Sequence, residues 1–490
     1  MNQRLKKGVS VLLAAMLAAC CMSGCTPKEK EDSVSEAIGE TTTTEVADET
    51  GKELSVVFSM TQNDESLMNT YEQILELYKE KTGVTVKAEY LQESDTRTYI
   101  VTRQSAGNAP DVYFAKLADA WADYAKGCTI DLTQYLNEES PYMPGKAWKD
   151  TFTPVLMEQA ADPQGNIPGV PWSVSGIRII YNMDILNAAG VEEIPVTIDE
   201  FFDTCEKVKE TGIIPIGLPN SKTNDAAVNW WGQNFTAQLD KKLRDQMDFD
   251  GNGMIQVNEL VRATDDGLID FNASPLKDAL AVMEKMIPYC NSDSSSTSRT
   301  DVFDMWLRGD VAMMAFGSGD SSLVKAMEDI TCNYEMGSFP VLPKESYPDS
   351  TEKPINHGGR LNALFTVSKT GDAEKEKQAV DFVQYFMSTE PQTMLAQNNY
   401  VIPPLTDIDL PGDLQWWLTA DNEDILRANY FGAATSKQFA DFTSMSSQLL
   451  FSNSISLDEW CNELNTEWKS CIEKLKEENG WSADNNYGSE

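Results

Sequence analysis

Residues 166–219 constrain this chain more than any other stretch. They open on Asn166-Ile167-Pro168-Gly169-Val170-Pro171-Trp172 and run into Ile177, Ile179, Ile180 and Tyr181. β-Branched residues bounded by turn residues read as a buried strand. Thr197 followed by Glu200 is a capping box, which satisfies the orphan N–H groups at a helix start. Phe201, Phe202, Cys205 and Val208 then form one apolar helix face, and Gly212 stops the helix by taking the left-handed conformation cheaply. A second apolar run ends at Leu218-Pro219. Strand, helix and strand in that order is α/β grammar.

The same grammar begins earlier. Residues 54–58 read as a first strand. Leu67, Tyr71, Ile74, Leu75 and Tyr78 recur at helical spacing up to Gly83, and Val84, Val86, Ala88 and Tyr90 alternate as a second strand. A crossover of this length makes the strands parallel and right-handed. Ligands of such sheets sit beyond the carboxyl ends of the strands. The loop after Phe58, with Asn63 and Glu65, is therefore a candidate site wall; the competing reading is a helix cap by Asn63 or Asp64. Tyr113 and Phe114 end a strand after Pro110-Asp111, one for ligand and one for core. Trp230 and Trp231 are adjacent, so they cannot both face one side of a helix, and one is expected to line a cleft.

Four segments in order carry a resemblance. The first comprises Gly169-Val170-Pro171, Tyr181-Asn182-Met183-Asp184 and Pro195-Val196-Thr197-Ile198-Asp199-Glu200. The second is Gly107-Asn108-Ala109-Pro110-Asp111. The third is Phe303, Leu307 and Gly309-Asp310-Val311-Ala312-Met313-Met314, ending at Gly317-Ser318-Gly319-Asp320. The fourth is His357-Gly358-Gly359-Arg360 with a helix bearing Ala379, Phe382, Val383 and Phe386. Over most of residues 53–410 the chain resembles the extracellular solute-binding proteins of bacterial ABC importers, a class that includes sugar receptors. The resemblance implies a two-lobed α/β fold of the periplasmic-binding-protein type II, hinged between lobes, with ligand in the cleft. It implies a first lobe of residues 53–170 and 339–390 and a second of 171–338 and 391–490. It also implies a monomeric receptor, not an enzyme, that hands a carbohydrate to an ABC permease. The ligand residues expected on this basis are Asn63, Glu65, Tyr113, Trp172, Trp230, Trp231, Ser318, Asp320 and Arg360. Aromatic faces suit sugar C–H faces, and Asp, Asn and Arg suit hydroxyls. Two other readings stay open: a secreted carbohydrate-active enzyme using two acids, and a calcium-dependent surface interaction module. His357 is the only histidine, which excludes multi-histidine metal sites.

Residues 248–259 match a helix–loop–helix calcium loop at every key position. Asp248, Asp250 and Asn252 supply oxygens at positions 1, 3 and 5, Gly253 makes the turn, the Met254 carbonyl stands at position 7 and Glu259 closes at 12. A hard dication needs such an oxygen cage. With one loop only, a structural calcium is expected, and the alternative is an acidic turn.

The N-terminus reads as a lipoprotein signal over residues 1–24. Arg4, Lys6 and Lys7 precede a short apolar run, too short to span a bilayer comfortably. Ser23-Gly24-Cys25 resembles a lipidation junction, so Cys25 is the expected membrane anchor, with Cys20 as alternative. Residues 25–52 are a Glu-, Thr- and Ser-rich tether with too little apolar surface to fold. These features place the protein on the extracytoplasmic face of a bacterial cell membrane. The formal net charge of −38 argues against nucleic acid, whose phosphates it would repel. No disulfide is expected among Cys128, Cys205, Cys290, Cys332, Cys461 and Cys471.

Overall fold

Val56, Val57 and Phe58 are all shut off from solvent, as a central strand of a parallel sheet requires, because both its faces are covered. They belong to β1 (Glu53–Met60). The computed structural model describes residues 53–488 except 61–63, 163, 223, 225, 252, 319–326, 328, 329, 357–360, 362, 407, 409, 411, 419–421, 433 and 434. After β1 comes α1 (Glu65–Thr82), which buries Tyr71, Ile74, Leu75 and Tyr78. Asp64 caps it by accepting from the Leu67 amide at 3.0 Å, and Gly83 closes it with φ +75°. Then follow β2 (Thr85–Gln92), α2 (Glu93–Ser105), β3 (Val112–Lys116) and β4 (Gly169–Pro171). The chain crosses to a second lobe with β5 (Ile177–Asn182), α3 (Ile198–Glu210), β6 (Ile214–Gly217), α4 (Val257–Asp265), β7 (Val311–Gly317), β8 (Tyr334–Gly337) and β9 (Ile355–Asn356). It returns to the first lobe for β10 (Ala363–Val367), α5 (Ala373–Phe386) and α6 (Thr389–Asn399), and ends in the second with β11 (Asp424–Ile425), α7 (Lys437–Phe451) and α8 (Leu457–Asn479).

The first sheet has the order β2-β1-β3-β10-β4 and the second β8-β5-β7-β6. In the first, β10 is antiparallel to β3 and β4. In the second, β5 is antiparallel to β7 and β8, while β6 and β7 are parallel. Strand direction then fixes which ends share an edge. Met60, Gln92, Lys116 and Pro171 end on one edge of the first sheet. Gly217, Gly317 and Gly337 end on one edge of the second. The architecture is the two-lobed α/β fold that the sequence implied.

Each lobe has its own core. Phe58, Tyr71, Phe114, Phe365, Phe382 and Phe386 centre the first. Phe201, Trp231, Leu280, Trp460 and Trp468 belong to the second. The capping box of α3 forms as the sequence indicates: Thr197 Oγ1 accepts from the Glu200 amide, and Glu200 Oε2 accepts from the Thr197 amide. All six described cysteines are free thiols, with Cys205, Cys461 and Cys471 buried.

The lobe boundaries differ from the expected ones in two places. Residues 339–356 were placed with the first lobe. In the structure Phe339 and Leu342 lie in the second-lobe core, and Gln238 donates to the Pro340 carbonyl and accepts from the Leu342 amide. Residues 391–399 were placed with the second lobe, yet Leu395 packs in the first-lobe core. Asn356 thus belongs with the second lobe and Leu361 with the first.

Candidate functional site

The three passages between lobes meet at Val174. It forms bridges with Leu361 and with Ile402, and its amide donates to the Ile402 carbonyl at 2.9 Å. Trp172 lies just before this junction and Gly176 just after it. Sequence proximity therefore places Trp172 at the strand-end edge of the first lobe and Gly176 at that of the second.

Trp172 follows the carboxyl end of β4, and its amide donates to the Ala363 carbonyl at 3.2 Å. Its ring sits 4.6 Å from Phe114, 5.7 Å from Phe386 and 5.9 Å from Tyr71. It is only half-buried. An aromatic plate backed by a core and open at its rim is suited to stacking on an apolar ligand face.

On the second lobe the chain after β7 is latched to the first crossing. The Gly176 amide donates to Ser318 Oγ at 2.8 Å, and the Ser318 amide donates to the Gly176 carbonyl at 2.9 Å. A β-carbon at Gly176 would lie 2.5 Å from the Trp417 carbonyl oxygen, so only glycine fits. Trp230 lies against the same strand end: a β-carbon on Gly317 would meet its ring at 3.6 Å. The Arg299 guanidinium covers that ring at 4.4 Å, a cation–π contact.

Arg178 fixes the last part of this edge. It is buried in β5, between isoleucines. Its Nη2 donates to Glu423 Oε2 at 2.8 Å and to the Leu418 carbonyl at 2.7 Å, and its Nε donates to the Trp416 carbonyl at 2.8 Å. The Ser338 hydroxyl also donates to Glu423. Burial pulls the Arg178 pKa down, and Glu423 opposes that. The clamp holds a segment whose Trp416 is 47 % exposed while Trp417 is fully buried.

Several expected ligand residues lie elsewhere. Tyr113 is fully buried; its phenol donates to Asp123 at 2.7 Å and accepts from Gln104 at 3.0 Å. Burial first, then Asp123, raises its pKa. It is a core group, and its neighbour Phe114 is the residue behind Trp172. Trp231 is buried against Phe201, Phe235 and Phe339 and forms core, not wall. Glu65 is exposed on the first turn of α1, beside the Asp64 cap. Ser318 is buried, with its oxygen engaged by Gly176. Asn63, Asp320, Arg360, Cys20 and Cys25 lie outside the described residues. Arg299, Trp416 and the Arg178–Glu423 pair escaped the sequence reading. A charge inside the apolar run around Ile179 was a visible signal for Arg178; nothing local marked the other two.

The acidic loop is built from other residues. Asp248, Asp250 and Glu259 gather there, Met254 lies in the same turn, and Asn252 lies outside the described residues. Burial pushes the Glu259 carboxyl up to about 7 against the pull of the Gln256 and Phe249 amides, and Asp250 adds to the rise. Two surface hollows are lined by none of these residues: one lies near Tyr142, Lys146 and Leu405, the other near Pro275, Lys285 and Tyr347.

Residues 73–423 match the family model described as bacterial extracellular solute-binding protein. The chain is 27 % identical over 155 residues to the diacetylchitobiose binding protein DasA of Streptomyces coelicolor, a match covering 31 % of this chain and 32 % of that one. The match thus spans about a third of that relative's length. A solved chitin oligosaccharide binding protein superimposes with a TM-score of 0.65 at 16 % identity, over 86 % of this chain and 98 % of that one. A probable secreted solute-binding lipoprotein from Streptomyces coelicolor gives 0.64 at 18 % identity, over 85 % and 98 %. At such identities these two likenesses establish the fold.

Proposed function

The chain belongs to the bacterial extracellular solute-binding proteins, a family of binding proteins and not of enzymes, and from that membership we propose that it captures an oligosaccharide between its lobes for an ABC importer. The observation that carries the ligand class is Trp172: a half-buried aromatic plate, supported by Phe114, at the strand-end edge beside the lobe junction. Sugar rings present flat C–H faces to such plates and hydroxyls to polar side chains. Across the junction, the exposed Trp416 offers further surface of the same kind. Relatives named for diacetylchitobiose and chitin oligosaccharide support this class. Hinge bending about Val174 would close the lobes on the bound sugar.

A thermal-shift screen against chito-, malto- and xylo-oligosaccharides tests the reading. A native-state ligand raises the melting temperature in proportion to RT ln(1 + [L]/Kd). At least one oligosaccharide should raise it in a saturable manner; no shift with any of them, and a shift with amino acids or peptides instead, would overturn the carbohydrate assignment.

The receptor is held at the extracytoplasmic face by lipid on Cys25. The basic start, the short apolar run and Ser23-Gly24-Cys25 before an acidic tether support this. Cys25→Ala should abolish lipid labelling and move the protein out of the membrane fraction. Labelling lost only in Cys20→Ala would move the anchor to that residue.

A further inference from the structure

We propose that the second lobe holds one structural calcium ion on Asp248, Asp250 and Glu259, a site separate from the sugar edge. Each of the three brings a carboxylate oxygen to within 4.8 Å of the others. Two oxygens bound to one calcium at ~2.4 Å lie at most about 4.8 Å apart, so the three are close enough to share one such ion. The donors are all oxygen, the choice of a hard cation.

A second observation points to a ligand. Asp248 Oδ1 is buried and has no hydrogen-bond partner among the described residues. A buried carboxylate oxygen with no donor has given up its hydration for nothing. Three other oxygens of the cluster are held in place by amides: Gly253 donates to Asp248 Oδ2 at 3.0 Å, Phe249 to Glu259 Oε1 at 2.7 Å, and Gln256 to Glu259 Oε2 at 2.8 Å. Glu259 itself is 4 % exposed. The guanidinium groups beside the loop have other contacts. Arg427 pairs with Asp424 at 3.0 Å and donates to the Gly253 carbonyl at 3.3 Å, and Arg262 lies over the Phe249 ring at 3.7 Å.

The surroundings suit a rigid brace. The loop runs from the helix Lys241–Met247 into α4, and Leu243, Met247, Ile255, Leu260 and Val261 anchor it in the lobe core. Gly253 takes φ +79°, the left-handed value the turn requires. The Ile255 amide donates to the Arg427 carbonyl at 2.9 Å. A neighbouring strand-like segment thus takes the place that a second calcium loop fills in paired sites. Two residues upstream of Arg427 is β11, which pairs with β9 next to the return crossing. The ion would stiffen this side of the lobe and leave the sugar contacts alone.

The test is calorimetric titration of calcium chloride into the metal-stripped full chain, with melting measured in calcium and in chelator. One saturable site is expected, with a melting rise of about 3 °C at about a hundredfold excess over Kd. Glu259→Gln should lose both the heat and the rise. Asp250→Ala, at an exposed position, removes the ligand oxygen altogether, should do the same, and covers the case in which the buried variant fails to fold. No calcium heat with unchanged melting in the unsubstituted protein overturns the proposal. So does an equal rise in potassium chloride at matched ionic strength, since the cation would then only screen the 77 acidic residues. Full retention of the rise in Asp250→Ala overturns it as well.

Discussion

Trp172→Ala is expected to weaken oligosaccharide binding by about 30- to 150-fold, or ~2–3 kcal/mol, the range of a central aromatic anchor. The ring is prepared for this work before any sugar arrives. Pro171 fixes its approach, the Trp172 amide is tied to Ala363, and Phe114, Phe386 and Tyr71 support its inner side. Little side-chain freedom is left to lose on binding, so most of the stacking energy is retained. Some stability will also go, because the inner side is packed. Affinity should therefore be measured by calorimetry well below the variant's melting temperature. Trp172→Phe, which keeps a smaller plate, should recover much of the loss. Unchanged affinity in a folded Trp172→Ala would leave Trp172 as a cover for the aromatic core.

The largest stability effect is expected from Glu423→Ala, about 3–5 kcal/mol, the cost of stranding a buried charge. The side chains of Arg178 and Glu423 are 5 % and 2 % exposed. Without Glu423 the guanidinium would keep the carbonyls of Trp416 and Leu418 as its closest acceptors among the described residues, with little exposure to water. Ser338 would lose its acceptor as well. The segment carrying Trp416 should then loosen, so sugar affinity should fall together with stability. Glu423→Gln keeps an acceptor oxygen and should cost less. Denaturant unfolding measures both. A change under about 1 kcal/mol for Glu423→Ala would mean that the pair is solvated in solution.

Local chemistry was legible in the sequence, and partnership across the chain was not. β5, α3 and β6 follow directly from isoleucine runs, the Thr197–Glu200 box and turn residues, since each is decided within a few positions. Which lobe a segment joins is decided by distant contacts. Residues 339–356 went to the wrong lobe because Phe339 finds Trp231, a contact no local pattern announces. Arg178 could be flagged as a charge in an apolar strand, yet its partner lies 245 residues away. The tryptophan pair shows the same limit. Adjacent residues point to different sides, as expected, but both sides are covered: Phe201 and Phe339 meet Trp231, while Gly317 and Arg299 meet Trp230. Residue type named Tyr113 as a ligand aromatic, whereas its neighbour Phe114, one step round the strand, is the residue that supports Trp172.

The central claim is that a sugar is held between two hinged lobes without being transformed. Small-angle X-ray scattering tests it directly, with and without the oligosaccharide that stabilises the protein most. The radius of gyration should contract on sugar addition, saturate at one sugar per chain, and recover when the intact sugar is dialysed away. A sugar that binds with no contraction, or that comes back cleaved, would contradict the account.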